Sequence, residues 1–375
     1  MTKLLNQLFY DLLQRFRFLR GELAGSTIAE PDIAAYRDRL LTQIERSIET
    51  VQSLIDDLDH MQPEFARNMY HACKRLTEYA QLADEGPVSA LSRFQPRDRF
   101  LTRLVAAMCD EFNFPHARPL CSAITTQYYC ILPRMDLILV PHSEPDHLLG
   151  LPDIYHELAH LLFRDSAVLV EMLRACSQSH FQNEIVRAER ESWPRASIDA
   201  LHAYRLRWFE SWVVEFGCDL LATYVCGPAF GWTNTRLCAR LSPEFFETTA
   251  SHPADAARTI AIRLILQNQG YLKEAHQIDL QWEALQQTSG QSEPQGFRLA
   301  FPDTLLGSIA EAVGEYCRSV GISPFDRNTM PIAALLNESW ERFVEDPSLF
   351  RAWEASQIEA LRELRDRPAN DSQTA

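Results

Sequence analysis

The segment His156-Glu157-Leu158-Ala159-His160 constrains the fold of this chain more than any other feature. Residues four apart lie on one face of an α-helix, so the two histidine rings can bind a single cation together. Glu157 would point about 100° around the helix axis, where it can reach a water on that cation without being a ligand. Neutral imidazole suits Zn²⁺, which makes a bound water nucleophilic near neutral pH. The segment therefore predicts a zinc-binding helix with the chemistry of a hydrolase.

The surrounding residues favour a buried helix that follows a pair of strands. Pro152 and Asp153 suit a first helical turn, and apolar residues then form a core-facing stripe. Upstream, residues 124–140 are rich in β-branched and aromatic side chains around Pro133-Arg134, which predicts a hairpin. An edge strand can bind an extended peptide. Burying two histidines and a glutamate without a partner would be costly, which favours the metal site over a core role.

A second apolar segment, residues 212–222, offers a third ligand. It predicts a buried helix that ends at Gly227-Pro228. Glu215 and Asp219 are four residues apart in it and share a face. We expect Glu215 to bind the metal and Asp219 to accept the spare N–H of a ligand histidine. Other residues that could provide the third ligand are Glu210, Asp219, His180 and His202.

A third element, Ser251-His252-Pro253 with Arg258, completes a resemblance to a known family. The order HExxH, ExxxD and (S/T)HPxxxxR resembles the gluzincin metallopeptidases and, among them, the CAAX prenyl protease-like group. The resemblance covers about residues 97–266 and implies a zincin-like core. The roles that it implies are zinc ligands at His156, His160 and Glu215, a general base at Glu157, a residue supporting a ligand at Asp219, an oxyanion contact at His252, and a supporting cation at Arg258.

Two departures limit what the resemblance implies. The group usually carries an Asn-Ala pair on the strand before the catalytic helix, and this chain has Ser122-Ala123 there. Many members are embedded in membranes, whereas this sequence has no apolar stretch of the roughly 18 residues that a spanning helix needs. The substrate class is therefore not implied.

His252 and Arg258 also have interpretations that do not depend on the family. With Pro253 at a first helical position, His252 would cap a helix through residues 257–265. The helix dipole would keep its ring neutral and able to donate a hydrogen bond. The sequence leaves open whether His252 is a cap or a donor near an oxyanion. Arg258 is expected to hold a carboxylate such as Asp219 in place.

Composition narrows the class of protein and its partners. The formal net charge of −15 argues against nucleic acid as a partner and leaves no polybasic membrane patch. Nine cysteines without CxxC pairs argue against a disulfide framework. We expect a cytoplasmic protein without a transmembrane segment or secretory signal, and we expect Cys218 and Cys226 to be core residues rather than zinc ligands.

The sequence predicts a mainly α protein with a small β-sheet (α+β), a zincin-like metallopeptidase core flanked by helical regions. Its predicted parts are a helical N-terminal region at residues 1–92, the core at 93–285, a linker at 286–296, a C-terminal helical region at 297–366 and a disordered tail at 367–375.

The expected function is zinc-dependent hydrolysis of peptide bonds in a protein or peptide substrate, with Glu157 deprotonating a zinc-bound water. Activity gated by a regulatory partner or by the chain's own helical regions stays open. The alternative is a non-catalytic helical interaction protein with a structural zinc site. A structural site is normally closed by a fourth ligand, frequently cysteine, and no cysteine stands at a recognised ligand spacing, which favours the enzyme.

Overall fold

The computed structural model describes residues 2–58, 65–125, 128–241 and 244–366. The chain is mainly helical with one small sheet, which confirms the predicted fold class. It divides into two compact units, Met1–Thr102 with Pro119–Val140, and Arg103–Arg118 with Pro141–Ala375. This division differs from the parts expected from the sequence, because it groups the strands with the N-terminal helices. The predicted disordered tail at 367–375 lies outside the described residues.

The first unit is built from amphipathic helices whose apolar faces form its core. Phe9, Phe16, Ile44 and Val51 are completely buried there, as expected from their helical spacing. A π-helical turn at Asp84–Val88 joins two of the helices. The helices are α1 (Thr2–Gly25), α2 (Pro31–Leu58), α3 (Ala66–Ala83), α4 (Ser89–Ser92) and α5 (Pro96–Glu111), of which α5 continues into the second unit.

The sheet has three strands, β1 (Leu120–Thr125), β2 (Cys130–Leu132) and β3 (Leu137–Pro141), in the order β1-β3-β2. β2 and β3 form an antiparallel hairpin in which Ile131 faces Ile138. This pair confirms the hairpin predicted around Pro133-Arg134.

Ser122 on β1 has a structural role inside the first unit. Its side chain is completely buried, and its hydroxyl group donates to Asp98 Oδ1 at 2.9 Å. The backbone N–H of Ala123 donates to the same oxygen at 2.8 Å. The hydroxyl group of Ser122 is therefore already bound to a carboxylate.

The second unit is built from helices, and two of the helix ends lie at residues that favour a helix stop. α9 ends at Gly227, whose φ of 73° is a conformation that glycine adopts without strain. A break at Asp346 separates the last two helices, as the Asp346-Pro347 sequence predicts. Its helices are α6 (Asp153–Asp165), α7 (Ala167–Arg190), α8 (Arg195–Arg207), α9 (Val213–Cys226), α10 (Pro228–Leu241), α11 (Asp255–Asn268), α12 (Leu272–Ser289), α13 (Phe297–Ala300), α14 (Asp303–Ser319), α15 (Pro331–Glu345) and α16 (Pro347–Asp366).

α6 and α9 pack closely at Gly217. A Cβ atom at this position would lie 1.9 Å from Cζ of Phe163, so only a glycine permits the approach. This contact brings the HExxH helix against the helix that carries Glu215 and Asp219.

Within the described part of the chain, no helix is both long enough and apolar enough to cross a membrane.

Candidate metal centre

α6 places the two histidine rings side by side. The helix begins at Asp153, next to Pro152, and buries almost its entire length. Nε2 of His156 and Nε2 of His160 are 3.2 Å apart, as the four-residue spacing predicts. His156 is 9% exposed and the side chain of His160 is 20% exposed, so the first ring is buried and the second is partly open to solvent.

Glu215 of α9 faces both rings. Its Oε2 lies 3.7 Å from Nε2 of His156, and its Oε1 lies 3.9 Å from Nε2 of His160. Of the other residues considered as third ligands, Glu210 and His202 are exposed, and His180 is half-buried with its ring against Phe181. Among these residues, Glu215 is the one that the structure brings to the histidine pair. Asp219 takes a different position.

Asp219 binds the opposite nitrogen of His156. Its Oδ1 lies 2.9 Å from Nδ1 of His156, so the ring is held with Nε2 directed away from Asp219. Arg258 of α11 donates to both oxygens of this carboxylate, from Nε at 2.6 Å and from a terminal nitrogen at 2.7 Å. Asp219 is completely buried, and the side chain of Arg258 is 12% exposed. A bidentate, buried ion pair of this kind fixes the carboxylate in one orientation.

The charges of the site follow from this arrangement. Burial alone would raise the pKa of Asp219, but the charge of Arg258 and its hydrogen bonds lower the pKa below its ordinary range. Burial alone would lower the pKa of His156, but the hydrogen bond and charge of Asp219, followed by the charges of Glu157 and Glu215, raise it to about 9. Burial and then the charge of His156 lower the pKa of His160 to about 3.

Glu157 is buried next to the first histidine, with 8% of its surface exposed. Its charge is among the causes that raise the pKa of His156, after the hydrogen bond and charge of Asp219. As the neighbour of His156 on α6, it points to a different side of the helix from the two rings. Glu157 is therefore buried beside the histidine pair but does not face the two rings as Glu215 does.

His252 does not cap a helix, so the capping interpretation is wrong. α11 begins at Asp255, and Ala254 occupies the N-cap position with φ −61° and ψ 137°. The carbonyl oxygen of His252 accepts instead from the backbone N–H of Thr249 at 2.9 Å, which closes a turn before the helix. Nε2 of His252 lies 3.7 Å from Oε2 of Glu215, and the side chain is 55% exposed. His252 therefore lies at the open side of the site.

Cys218, which the sequence predicts to be a core residue rather than a zinc ligand, is completely buried but lies beside the two histidine rings. Its Sγ and one ring nitrogen each of His156 and His160 lie within 4.8 Å of one another. Burial, followed by the charges of Glu215 and Asp219, raises the pKa of the thiol well above its ordinary value. A thiol binds a metal as the thiolate, so Cys218 would have to lose its proton on metal binding.

The donor set fits zinc. Two imidazole nitrogens and a carboxylate are common ligands of catalytic zinc, and a Zn–N bond of about 2.1 Å places tetrahedral ligands roughly 3.4 Å apart. The Nε2 atoms of His156 and His160 are 3.2 Å apart, near this spacing, and they face different oxygens of Glu215, Oε2 at 3.7 Å and Oε1 at 3.9 Å. Since Arg258 neutralises Asp219, the negative charge of Glu215 and Glu157 is left to balance a dication.

Comparisons with known proteins found no relatives: no family model, curated protein or solved structure matches this chain. Function is therefore inferred from the chemistry of the site.

Proposed function

We propose that this protein is a zinc-dependent metalloendopeptidase that hydrolyses peptide bonds of a protein substrate. The observation that carries the proposal is the meeting of two buried helices, where the rings of His156 and His160 face the carboxylate of Glu215. The order of these residues resembles that of the gluzincins, which supports the same conclusion. We infer that the core is zincin-like and that the CAAX prenyl protease-like group is the class it resembles.

The residues of the site have distinct roles in this proposal. A bound zinc ion supplies Lewis acidity that polarises the peptide carbonyl and acidifies a water. Glu157 accepts a proton from the attacking water and delivers it to the leaving amine. Asp219 holds His156 in the tautomer and orientation in which Nε2 is free to bind metal. His252, on the open side, is placed to donate to the oxygen that becomes negative in the transition state.

The metal assignment is tested by the zinc content of purified variants. Wild-type protein should carry about one zinc ion per chain, since the three ligands form a single site. Glu215→Ala should lose most of this zinc, because only two ligands remain. Glu210→Ala is the matched control, since Glu210 is an exposed glutamate in the turn just before α9. Equal zinc in wild type and Glu215→Ala would assign the third ligand to another residue.

Catalysis is tested separately with Glu157→Gln. This substitution keeps the size of the side chain but removes the base, so zinc and fold should persist while proteolysis falls about 100-fold or more. A substrate can be identified by profiling new protein N-termini in cells with wild-type protein or with Glu157→Gln. Equal cleavage of that substrate by both proteins would refute the role of Glu157.

A non-catalytic protein with a structural zinc site is the second candidate, and the position of Cys218 is the observation that favours it. If Cys218 closes the site as a thiolate ligand, Co²⁺-loaded protein should show a strong thiolate charge-transfer band in the near ultraviolet. Cys218→Ser would remove that band, whereas Cys226→Ser would not, although Cys226 is also completely buried on α9. If wild type lacks the band, Cys218 is not a ligand and one coordination position stays open, as catalysis requires.

We also propose a cellular setting for the protein. All nine cysteines are free thiols in the described residues, which supports a reducing compartment such as the cytoplasm. The net charge of −15 supports protein rather than nucleic acid as partner. A regulatory protein that gates the site is compatible with this setting.

A further inference from the structure

A π-helical turn lies directly before the helix that carries Glu215. It spans Trp208–Trp212 and continues into α9 without a break. The ring of Trp208 stacks on that of Phe216 at 4.7 Å with an angle of 7° between their planes, so the turn is packed against the first turn of α9. Single π-helical turns inside α-helices are frequent at functional sites.

Two side chains of this turn bind the loop that carries His252. The hydroxyl group of Ser211 donates to the carbonyl oxygen of Ala250 at 2.6 Å. Nε1 of Trp212 donates to the carbonyl oxygen of Thr249 at 3.2 Å. Two consecutive carbonyl groups of the loop are therefore bound by side chains of one π-helical turn.

The loop transmits this attachment to His252. The backbone N–H of Thr249 donates to the carbonyl oxygen of His252, and the backbone N–H of His252 donates to Oγ1 of Thr249, both at 2.9 Å. Ser251 Oγ lies 2.8 Å from Nδ1 of the His252 ring. Fixing Thr249 and Ala250 therefore also fixes the backbone of His252, whose Nε2 lies 3.7 Å from Oε2 of Glu215.

We propose that Ser211 and Trp212 are positioning residues that hold the loop 249–252 so that the His252 ring stays beside Glu215. The inference rests on the proposed function, because it gives His252 a fixed place at the open side of the metal centre. A half-exposed histidine would otherwise occupy many orientations, and holding it in advance removes that entropy cost from the reaction. The same helix thus carries a metal ligand and the support of a residue that faces the substrate.

The attachment is tested first without metal. Hydrogen–deuterium exchange is measured by mass spectrometry on peptides that contain residues 249–252, in wild type, Ser211→Ala, Trp212→Phe and the double variant. Each side-chain hydrogen bond contributes modestly, so the double variant should exchange about tenfold faster in this loop. Trp208→Phe is the matched control, since the Trp208 indole donates instead to the carbonyl oxygen of Ala300. Unchanged exchange in the double variant would overturn the proposal.

The place of His252 at the metal is tested with Co²⁺-loaded protein. The paramagnetic ion shifts the NMR signals of the His252 ring, which are assigned by their loss in His252→Gln. We expect the double variant to keep its Co²⁺ and to lose the wild-type shift, whereas Ser211→Thr, which keeps the hydroxyl group, should retain it. Bound Co²⁺ with an unchanged shift in the double variant contradicts the proposal. Failure of wild type to bind Co²⁺ contradicts the proposed function instead, and the exchange experiment still decides whether the loop is held.

Discussion

Asp219 is the residue on which the electrostatics of the site depend. It is completely buried, and it is the partner of both Arg258 and His156. Asp219→Ala would remove the bidentate partner of a buried guanidinium and leave it only the longer contact with Asp255 at 3.7 Å, so the free energy of unfolding should fall by about 3–5 kcal/mol. Urea unfolding of metal-free protein measures this change.

The matched control for Asp219 is an exposed ion pair. Glu338 binds Arg342 one turn later on α15, and the two side chains are 43% and 50% exposed. Glu338→Ala should therefore cost no more than about 1 kcal/mol. If both variants lost equally little free energy of unfolding, Asp219 would not be the carboxylate that supports Arg258 and His156.

His156 should make the stability of the metal-free protein depend on pH. Its pKa is raised from 6.5 to about 9, chiefly by Asp219 acting against burial. Because the folded state holds this proton more tightly, the stabilisation is fully present below pH 6.5 and is lost as pH rises through about 9. Wild type should have a larger free energy of unfolding than His156→Gln at pH 6, and this difference should largely disappear at pH 9. Denaturant unfolding with a chelator measures it. If wild type instead gained stability relative to His156→Gln as pH rises, the pKa of His156 would not be raised in the folded state.

At the scale of secondary-structure elements, the contact between α6 and α9 is set by one glycine. A Cβ atom at Gly217 would overlap the ring of Phe163, so Gly217→Ala should push the helices apart. We expect a loss of about 1–3 kcal/mol in the free energy of unfolding and weaker zinc binding, because the ligands lie on both helices. Thermal unfolding and zinc titration measure the two effects.

Gly307 provides the control for this substitution. It lies inside α14, and a Cβ atom there would meet no other atom within 4 Å. Gly307→Ala should therefore stabilise the protein by about 0.5–1 kcal/mol through helix propensity alone. If Gly217→Ala and Gly307→Ala changed the free energy of unfolding equally, close packing at Gly217 would not control the contact between α6 and α9.

For the whole molecule, the position of the site predicts which part of the chain responds to metal. All of the proposed ligands belong to the second unit. Zinc at about 100 times its dissociation constant should stabilise that unit by about 2.7 kcal/mol, and a chelator should reverse the effect. Calorimetry with and without zinc measures it, and Glu215→Ala should show no response.

A variant of the first unit serves as the control for the metal effect. Tyr36 OH donates to the carbonyl oxygen of Met135 at 2.6 Å within that unit. Tyr36→Phe should lower stability by about 1 kcal/mol while leaving the response to zinc unchanged. Loss of the zinc response in Tyr36→Phe would contradict a site confined to the second unit.

The sequence alone determined where helices end and which side chains lie together on one helix face. The spacing of His156 and His160, and that of Glu215 and Asp219, fixes which side chains share a helix face. The stop of α9 at Gly227 and the break at Asp346 also follow from neighbouring residues. These features were predictable because helical periodicity and helix ends depend on residues close in sequence.

The tertiary structure decided how these faces meet. Asp219 and His156 are 63 residues apart in sequence, and Ser211 is 39 residues from Ala250. Which nitrogen of His156 meets Asp219, how near Cys218 comes to the rings, and where the helix after His252 begins all depend on helix packing. Packing is a sum of many weak contacts between distant segments, and a local pattern does not encode it.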